Sequence, residues 1–140
     1  MSKQLLVSRI KTPDGTILES KYTHDYREYK DSISGESYIL DGGISYQRKS
    51  VNKIPAEDLS CYTDDPHERI RENFTWGTYG KKGDQERKDI LLKDLSNDHL
   101  EALIKYTDDL NYYPEHINDL FVEEYLYRKL YSIYIEGGSY

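Results

Sequence analysis

The stretch TDDPHERIRENF, Thr63 to Phe74, is where the chain stops reading as strands and starts reading as helix. Asp65 suits an N-cap and Pro66 the first helical position, because a proline lacks the N–H that would go unbonded there. Glu68, three residues after the cap, completes a box-like start, and Ile70 and Phe74 fall on one face. The spacing predicts a short helix of about two to three turns. Its position after a strand-rich segment predicts an α+β chain.

Upstream, QLLVSRIKT and TILESKYTHDY flank Pro13-Asp14-Gly15, where proline presets φ and glycine closes the turn, so they read as a β-hairpin. Leu18, Tyr22 and Tyr26 would share one side of the second arm. SYIL and ISYQRKSV flank Asp41-Gly42-Gly43 as a second apolar–turn–apolar unit, giving four antiparallel strands. From Asn52 to Thr63 the pattern loses its period, and this reads as a connection crossing the sheet.

Downstream, glycines 77, 80 and 83 end the short helix, and RKDILLKDL reads as a fifth strand before Ser96, the next N-cap. SNDHLEALIKY carries Leu100, Leu103 and Ile104 at helical spacing. Pro114 opens a longer run in which Ile117, Leu120, Phe121, Leu130, Ile133 and Tyr134 suit one stripe, stopped by Gly137-Gly138. The expected fold is an N-terminal antiparallel sheet of about five strands packed with a short helix and a C-terminal helical hairpin. At 140 residues this suits a single domain. Its segments are hairpins over 1–51, helix, glycine-rich loop and strand over 52–95, and an acidic, tyrosine-rich helical pair over 96–140.

Only 36% of residues are hydrophobic, but the 15 tyrosines among them supply apolar area that such a count undervalues, so an ordered core is expected. No run approaches the ~20 apolar residues of a membrane span, and MSKQLLVSRI lacks a signal-peptide core, so a cytoplasmic protein without a membrane partner is expected. Cys61 is the sole cysteine, which excludes an internal disulfide and a cysteine-based zinc site. From Asp94 to Tyr140 three basic residues face ten acidic ones, the whole of the net charge of −7. Such a surface repels phosphate backbones and disfavours non-specific nucleic-acid binding.

Three stretches carry candidate chemistry. FTWGTYGKKGDQ, Phe74 to Gln85, offers flat faces at Trp76 and Tyr79 beside Lys81 and three glycines, ingredients that suit a nucleotide. It matches neither GxGxxG nor GxxxxGK[ST], and it equally suits a helix-to-strand turn with Trp76 in the core. DGGISYQRK offers Tyr46 and Arg48 for stacking and anion contact, or is a plain hairpin with solvated charges. Arg69 and Arg71 stand near a helix start that favours anions, where Asp64 and Asp65 compete as caps. The four histidines show no HxH or HExxH spacing, so neither a metal nor a cofactor is expected, and Cys61 with a distant histidine makes at most a weak nucleophile–base pair. Eight tyrosines between Tyr106 and Tyr140 exceed one core stripe and suggest a homo-oligomer interface, or core packing with scattered exposed rings.

ILDGGISYQRKSVN, LSCYTDDPHERIRENFTWGTYGKKGDQ and ILLKDLSNDHLEALIKY together resemble small accessory proteins of tailed bacteriophages, a family with a DGG turn, a DDP helix, a WG–G–KG loop and an LKDL–H–EA helix. The likeness runs from Leu5 to about Arg128; the ending YLYRKLYSIYIEGGSY is particular to this chain. It implies action inside an infected bacterium, against host defence or on host metabolism, and transfers no catalytic residues. The leading expectation is a non-enzymatic protein that sequesters a small nucleotide-derived immune signal through Tyr46, Arg48, Arg69, Arg71, Trp76, Tyr79 and Lys81. A second is a protein–protein inhibitor or DNA mimic docking through acidic residues such as Asp119, Glu123 and Glu124. A third is a nucleotide-cleaving phosphodiesterase, which would need a metal or histidine cluster that the sequence does not display.

Overall fold

The computed structural model describes residues 3–109 and 111–137. It is α+β, and its contacts divide the chain into two compact units, Met1–Asp64 and Asp65–Tyr140.

The first unit is all β: β1 (Leu5–Lys11), β2 (Ile17–Ser20), β3 (Arg27–Lys30), β4 (Ser37–Asp41), β5 (Arg48–Lys49), β6 (Glu57–Asp58) and β7 (Cys61–Tyr62). β1 is central to one sheet. β2 pairs along one edge, from Ser8–Ser20 to Lys11–Ile17, while β6 and then β7 follow its other edge, all antiparallel. Ser60 lies between β6 and β7, where its Oγ accepts from Arg9 N at 3.1 Å and donates to Arg9 O at 3.2 Å, and the register slips further along, between Val7–Cys61 and Leu5–Tyr62. A second sheet has the order β3-β4-β5. Ile10, Tyr38 and Leu40 form the buried cluster, joined by Leu18 and Ala56.

Two carboxylates lock the turns. Asp14 Oδ2 accepts from Tyr29 OH at 2.6 Å and Ser32 N at 2.9 Å, while its own N donates to Asp31 Oδ1 at 2.8 Å. The Ser32 N–H, then the Thr16 and Tyr29 hydroxyls, hold the Asp14 carboxyl far below its ordinary range. Asp31 is lowered too: burial pushes it up, but donors including Ser34 N and Asp14 N outweigh that. The β1–β2 and β3–β4 turns are thereby tied to each other.

The expected hairpins are thus present with a different division. The second arm breaks after Ser20, leaving Tyr22 and Tyr26 exposed, and a separate β3 pairs with β4. Residues 52–63, expected as a plain connection, hold the two-residue strands β6 and β7.

The second unit contains α1 (His67–Asn73), β8 (Thr75–Thr78), β9 (Lys88–Leu91), a single 3-10 turn (Leu92–Asp94), α2 (Asn97–Tyr106) and α3 (Glu115–Leu130). Helix α1 exists as expected, with its N-cap one residue later than Asp65: Pro66 occupies that position without a side-chain bond, and Asp65 lies 3.7 Å from Arg69 one turn on. Ser96 does cap α2, accepting from His99 N at 3.1 Å. The fifth strand is β9, and its partner is the TWGT segment, expected as loop. Phe121 sits at the centre of the aromatic packing, 6.2 Å from Phe74 and 5.4 Å from Trp76 between ring centroids.

Helix α3 departs most from expectation. Ile117, Leu120 and Phe121 are buried as foreseen, but the same stripe continues as Glu124 and Arg128, and Leu130 and Tyr134 are exposed. The helix ends at Leu130, before the glycines, and Ser132 is left-handed with φ 54°. Gly138 lies outside the described residues. Glu124 is fully buried and saturated: Oε1 accepts from His67 Nε2 at 2.8 Å and Arg71 Nε at 3.0 Å, and Oε2 accepts from Arg71 Nη2 at 3.0 Å and Arg128 Nε at 2.7 Å. Arg128 goes on to Asn97 Oδ1 at 2.8 Å and Leu92 O at 3.0 Å. Burial pushes the Glu124 carboxyl up, but His67, Arg71 and Arg128 outweigh it and bring it to about 2.

Because that carboxyl binds its proton less readily folded than unfolded, its contribution is full above the unfolded value of 4.5 and is lost as pH falls from there towards about 2. Glu124→Gln, which leaves two guanidiniums without their anion, should cost about 3–5 kcal/mol in urea denaturation and flatten the loss of stability on acidification.

Candidate functional site

The strongest convergence of exposed rings, a cation and an unsatisfied buried group lies at the turn between β4 and β5. Asp41 ends β4, and its chain neighbours turn sharply. Gly42 has φ +96° and a Cβ there would stand 2.0 Å from Tyr46 O; Gly43 has φ +55° and a Cβ would stand 2.5 Å from Tyr22 N. Only glycine fits either place. Gly43 N donates to the buried Ser20 Oγ at 2.8 Å, and Ser20 Oγ donates to Asp25 O at 2.6 Å, so the turn is fixed against the end of β2.

This arrangement sets five side chains around one corner. Arg48 Nη2 donates to Asp41 Oδ2 at 2.8 Å, with the Arg48 side chain 63% exposed and that of Asp41 only 9%. Hydrogen bonding to Asp41, then its charge, raises the Arg48 pKa, and the Tyr46 and Tyr26 hydroxyls lie near enough to add to the effect. Tyr46 and Tyr26 are both exposed. Tyr46 OH stands 3.2 Å from His24 Nδ1, and His24 holds a left-handed φ of 66°, unusual for a residue with a β-carbon. Asp41 Oδ1 is buried with no hydrogen-bond partner. A buried carboxylate oxygen normally has one.

The corner therefore presents a guanidinium for an anion, phenol and imidazole rings for stacking, and an acceptor awaiting a donor. A separate cavity of about 220 Å³, lined by Tyr38, Lys49, Val51, Asn52, Pro55 and Ala56 among others, is smaller than the ~300 Å³ at which ligand pockets begin.

The other expected contact residues lie in the second unit. Arg71 is committed to Glu124, and its guanidinium also lies 4.6 Å from the Tyr127 ring centroid. Arg69 faces Asp65. Trp76 packs on Phe121 from within β8, while Tyr79 and Lys81 are exposed at the tip of the β8–β9 hairpin. Tyr46 and Arg48 come together; Trp76 and Arg71 serve the interior of their unit. Asp41, Tyr26 and His24 were not foreseen as contacts. The DGG turn pointed to Asp41, whereas nothing in SKYTHDY distinguishes His24 from a solvated loop histidine.

Among the described residues no group of three or more His, Cys, Asp or Glu is arranged to hold a metal ion. Cys61 is buried in β7. Burial lowers His99 to about 4. No helix among the described residues is long and apolar enough to cross a membrane. Comparison of the chain with protein-family models, curated proteins and solved structures finds no match.

Arg48→Ala should lower stability in urea denaturation despite the exposure of the arginine, because Asp41 then has no partner on either oxygen; adding Asp41→Asn should return part of that loss in a denaturation cycle. Gly43→Ala should cost at least about 2 kcal/mol by the same measurement, from the backbone clash and the left-handed φ together.

Proposed function

We propose that the protein is a non-enzymatic binder of a small nucleotide-derived ligand and that the Asp41–Arg48 corner is where it binds. One observation carries the reading: an exposed guanidinium flanked by tyrosine hydroxyls stands beside a buried carboxylate oxygen that lacks a partner. Phosphate supplies the anion for Arg48, a base supplies the ring for Tyr46 or Tyr26, and an amino or imino N–H supplies the donor for Asp41. The likeness to phage accessory proteins gives such a site a use in the cytoplasm of an infected cell: retaining an immune signal and keeping it from its receptor. Docking through the acidic helical region is the weaker reading, because Glu124 is fully buried and only Asp119 and Glu123 of the three proposed carboxylates are exposed.

Isothermal calorimetry against linear and cyclic mononucleotides and dinucleotides should give saturable binding to at least one. Tyr46→Ala and Arg48→Gln should each weaken it by about tenfold or more, a contact of roughly 1.4 kcal/mol, with the ligand recovered chemically unchanged. Absence of binding across the panel, or binding indifferent to both substitutions, would overturn the assignment.

A further inference from the structure

Only one side of the His67 imidazole is accounted for by the ionic centre. His67 opens α1 within the second unit, and its side chain is 15% exposed. Nε2 lies 2.8 Å from Glu124 Oε1, and because an ionised carboxylate can only accept, the hydrogen in that bond belongs to the ring. Nδ1, on the other side, is buried and has no hydrogen-bond partner. Buried polar atoms are normally satisfied, and an ion is one of the partners that can do it.

The group that Nδ1 faces is itself a carboxylate. Glu123 Oε2, on α3, stands 3.6 Å away. That spacing is long for an N–H···O bond, which closes to about 2.7–3.2 Å. It suits two ligand atoms on one metal: with zinc bonds of about 2.0–2.1 Å, adjacent ligands stand about 3.3–3.4 Å apart at the tetrahedral angle and about 3.6 Å apart when the angle opens to ~120°. The Glu123 side chain is 62% exposed, so an ion reaches the pair from solvent and water fills the rest of its coordination shell.

The bond at Nε2 is the support that such a ligand needs. A histidine that binds a metal through one nitrogen ordinarily gives the hydrogen on the other to a carboxylate, carbonyl or water, which fixes the ring and strengthens it as a donor to the metal. Glu124 is that carboxylate, and Arg71 and Arg128 hold it in turn. A ring nitrogen beside a carboxylate oxygen suits a borderline ion such as zinc, whereas magnesium and calcium take oxygen ligands. We propose that His67 Nδ1 and Glu123 Oε2 are the two protein ligands of a divalent transition-metal ion of the zinc type, which ties α1 to α3. With two protein ligands in place of the three or four of a dedicated zinc site, it binds in exchange with solvent and keeps open positions.

The test is calorimetric titration of the full chain with zinc chloride in a buffer that does not chelate it, with magnesium chloride as the control and circular dichroism on every variant. Zinc should saturate at one equivalent per chain, and magnesium at the same concentrations should not bind. Glu123→Gln, at an exposed position, leaves the His67–Glu124 bond in place; it should keep its fold and weaken zinc by about tenfold or more, at least what loss of an outer-shell partner costs. Zinc should raise the melting temperature of the wild type by more than that of the variant, as expected of an ion that binds the folded chain. Long-range proton–nitrogen spectra of the histidine rings in the wild type should show zinc perturbing Nδ1 of His67. Absence of saturable zinc binding overturns the inference. So does binding unchanged in Glu123→Gln, or a perturbation centred on a histidine other than His67, either of which would make the ion adventitious.

Discussion

The second unit depends on one buried carboxylate. An ionised carboxylate removed from water costs several kcal/mol unless its acceptor positions are filled, and Glu124 meets four donors, two on each oxygen. Those donors come from α1 and from α3 itself, and Arg128 extends the connection to the 3-10 turn and the first residue of α2. Asn97 closes the circuit by accepting from Ile135 N at 3.0 Å and donating its own N–H to Ile135 O at 2.9 Å. Direction matters here more than strength. A hydrophobic stripe tolerates rotation of a helix by tens of degrees, whereas a bidentate guanidinium does not. An acceptor-only carboxylate also takes its hydrogen from His67 Nε2, while the buried Nδ1, without a hydrogen-bond partner, faces Glu123 Oε2 at 3.6 Å.

That ionic centre explains where the sequence could and could not be read. Ser96, Leu100 and Leu103 declared α2 through a cap and a period, and both held. In α3 the rule that continues an apolar stripe with the next apolar residue picked Leu130 and Tyr134, when the geometric successors of Phe121 are charged. A buried Glu–Arg pair at i, i+4 looks the same in sequence as a solvated one. The bond of Arg71 to Glu124 was not legible for a related reason: its partner is 53 positions away, and no local pattern announces it. The two-residue strands β6 and β7 escaped because alternation needs more length than that to register, and because Ser60 interrupts them. Trp76 and Gly77 belong to a strand for the opposite reason. The glycine spacing that suggested a loop includes one residue inside β8, over which the Arg87 side chain lies.

In the first unit the corner at Asp41 and Arg48 was partly legible. Asp41-Gly42-Gly43 marks a turn that only glycine can make, and Tyr46 and Arg48 follow within seven residues of Asp41, so their nearness to it is a matter of the turn's closure. The contribution of SKYTHDY was not legible, because it arises from a long-range bond between Ser20 and Gly43. That bond also gives the corner its rigidity. Since both glycine contacts are with main-chain atoms, a ligand there would meet a wall already formed, and would lose little entropy in ordering it.

The hairpin tip at residues 79–87 illustrates a different economy. Lys81 to Asp89 are all exposed, and the bonds that close the tip, Gly83 N to Gly80 O at 3.0 Å and Gln85 N to Tyr79 O at 2.8 Å, are local. The register that matters, Trp76 opposite Ile90 and Thr75 opposite Leu91, is set below it. Chain length is therefore free to drift at this tip at small entropic expense. An affinity tag or fluorescent reporter spliced between Lys82 and Gly83 would leave the ring stack on Phe121 and the charge cluster below it undisturbed.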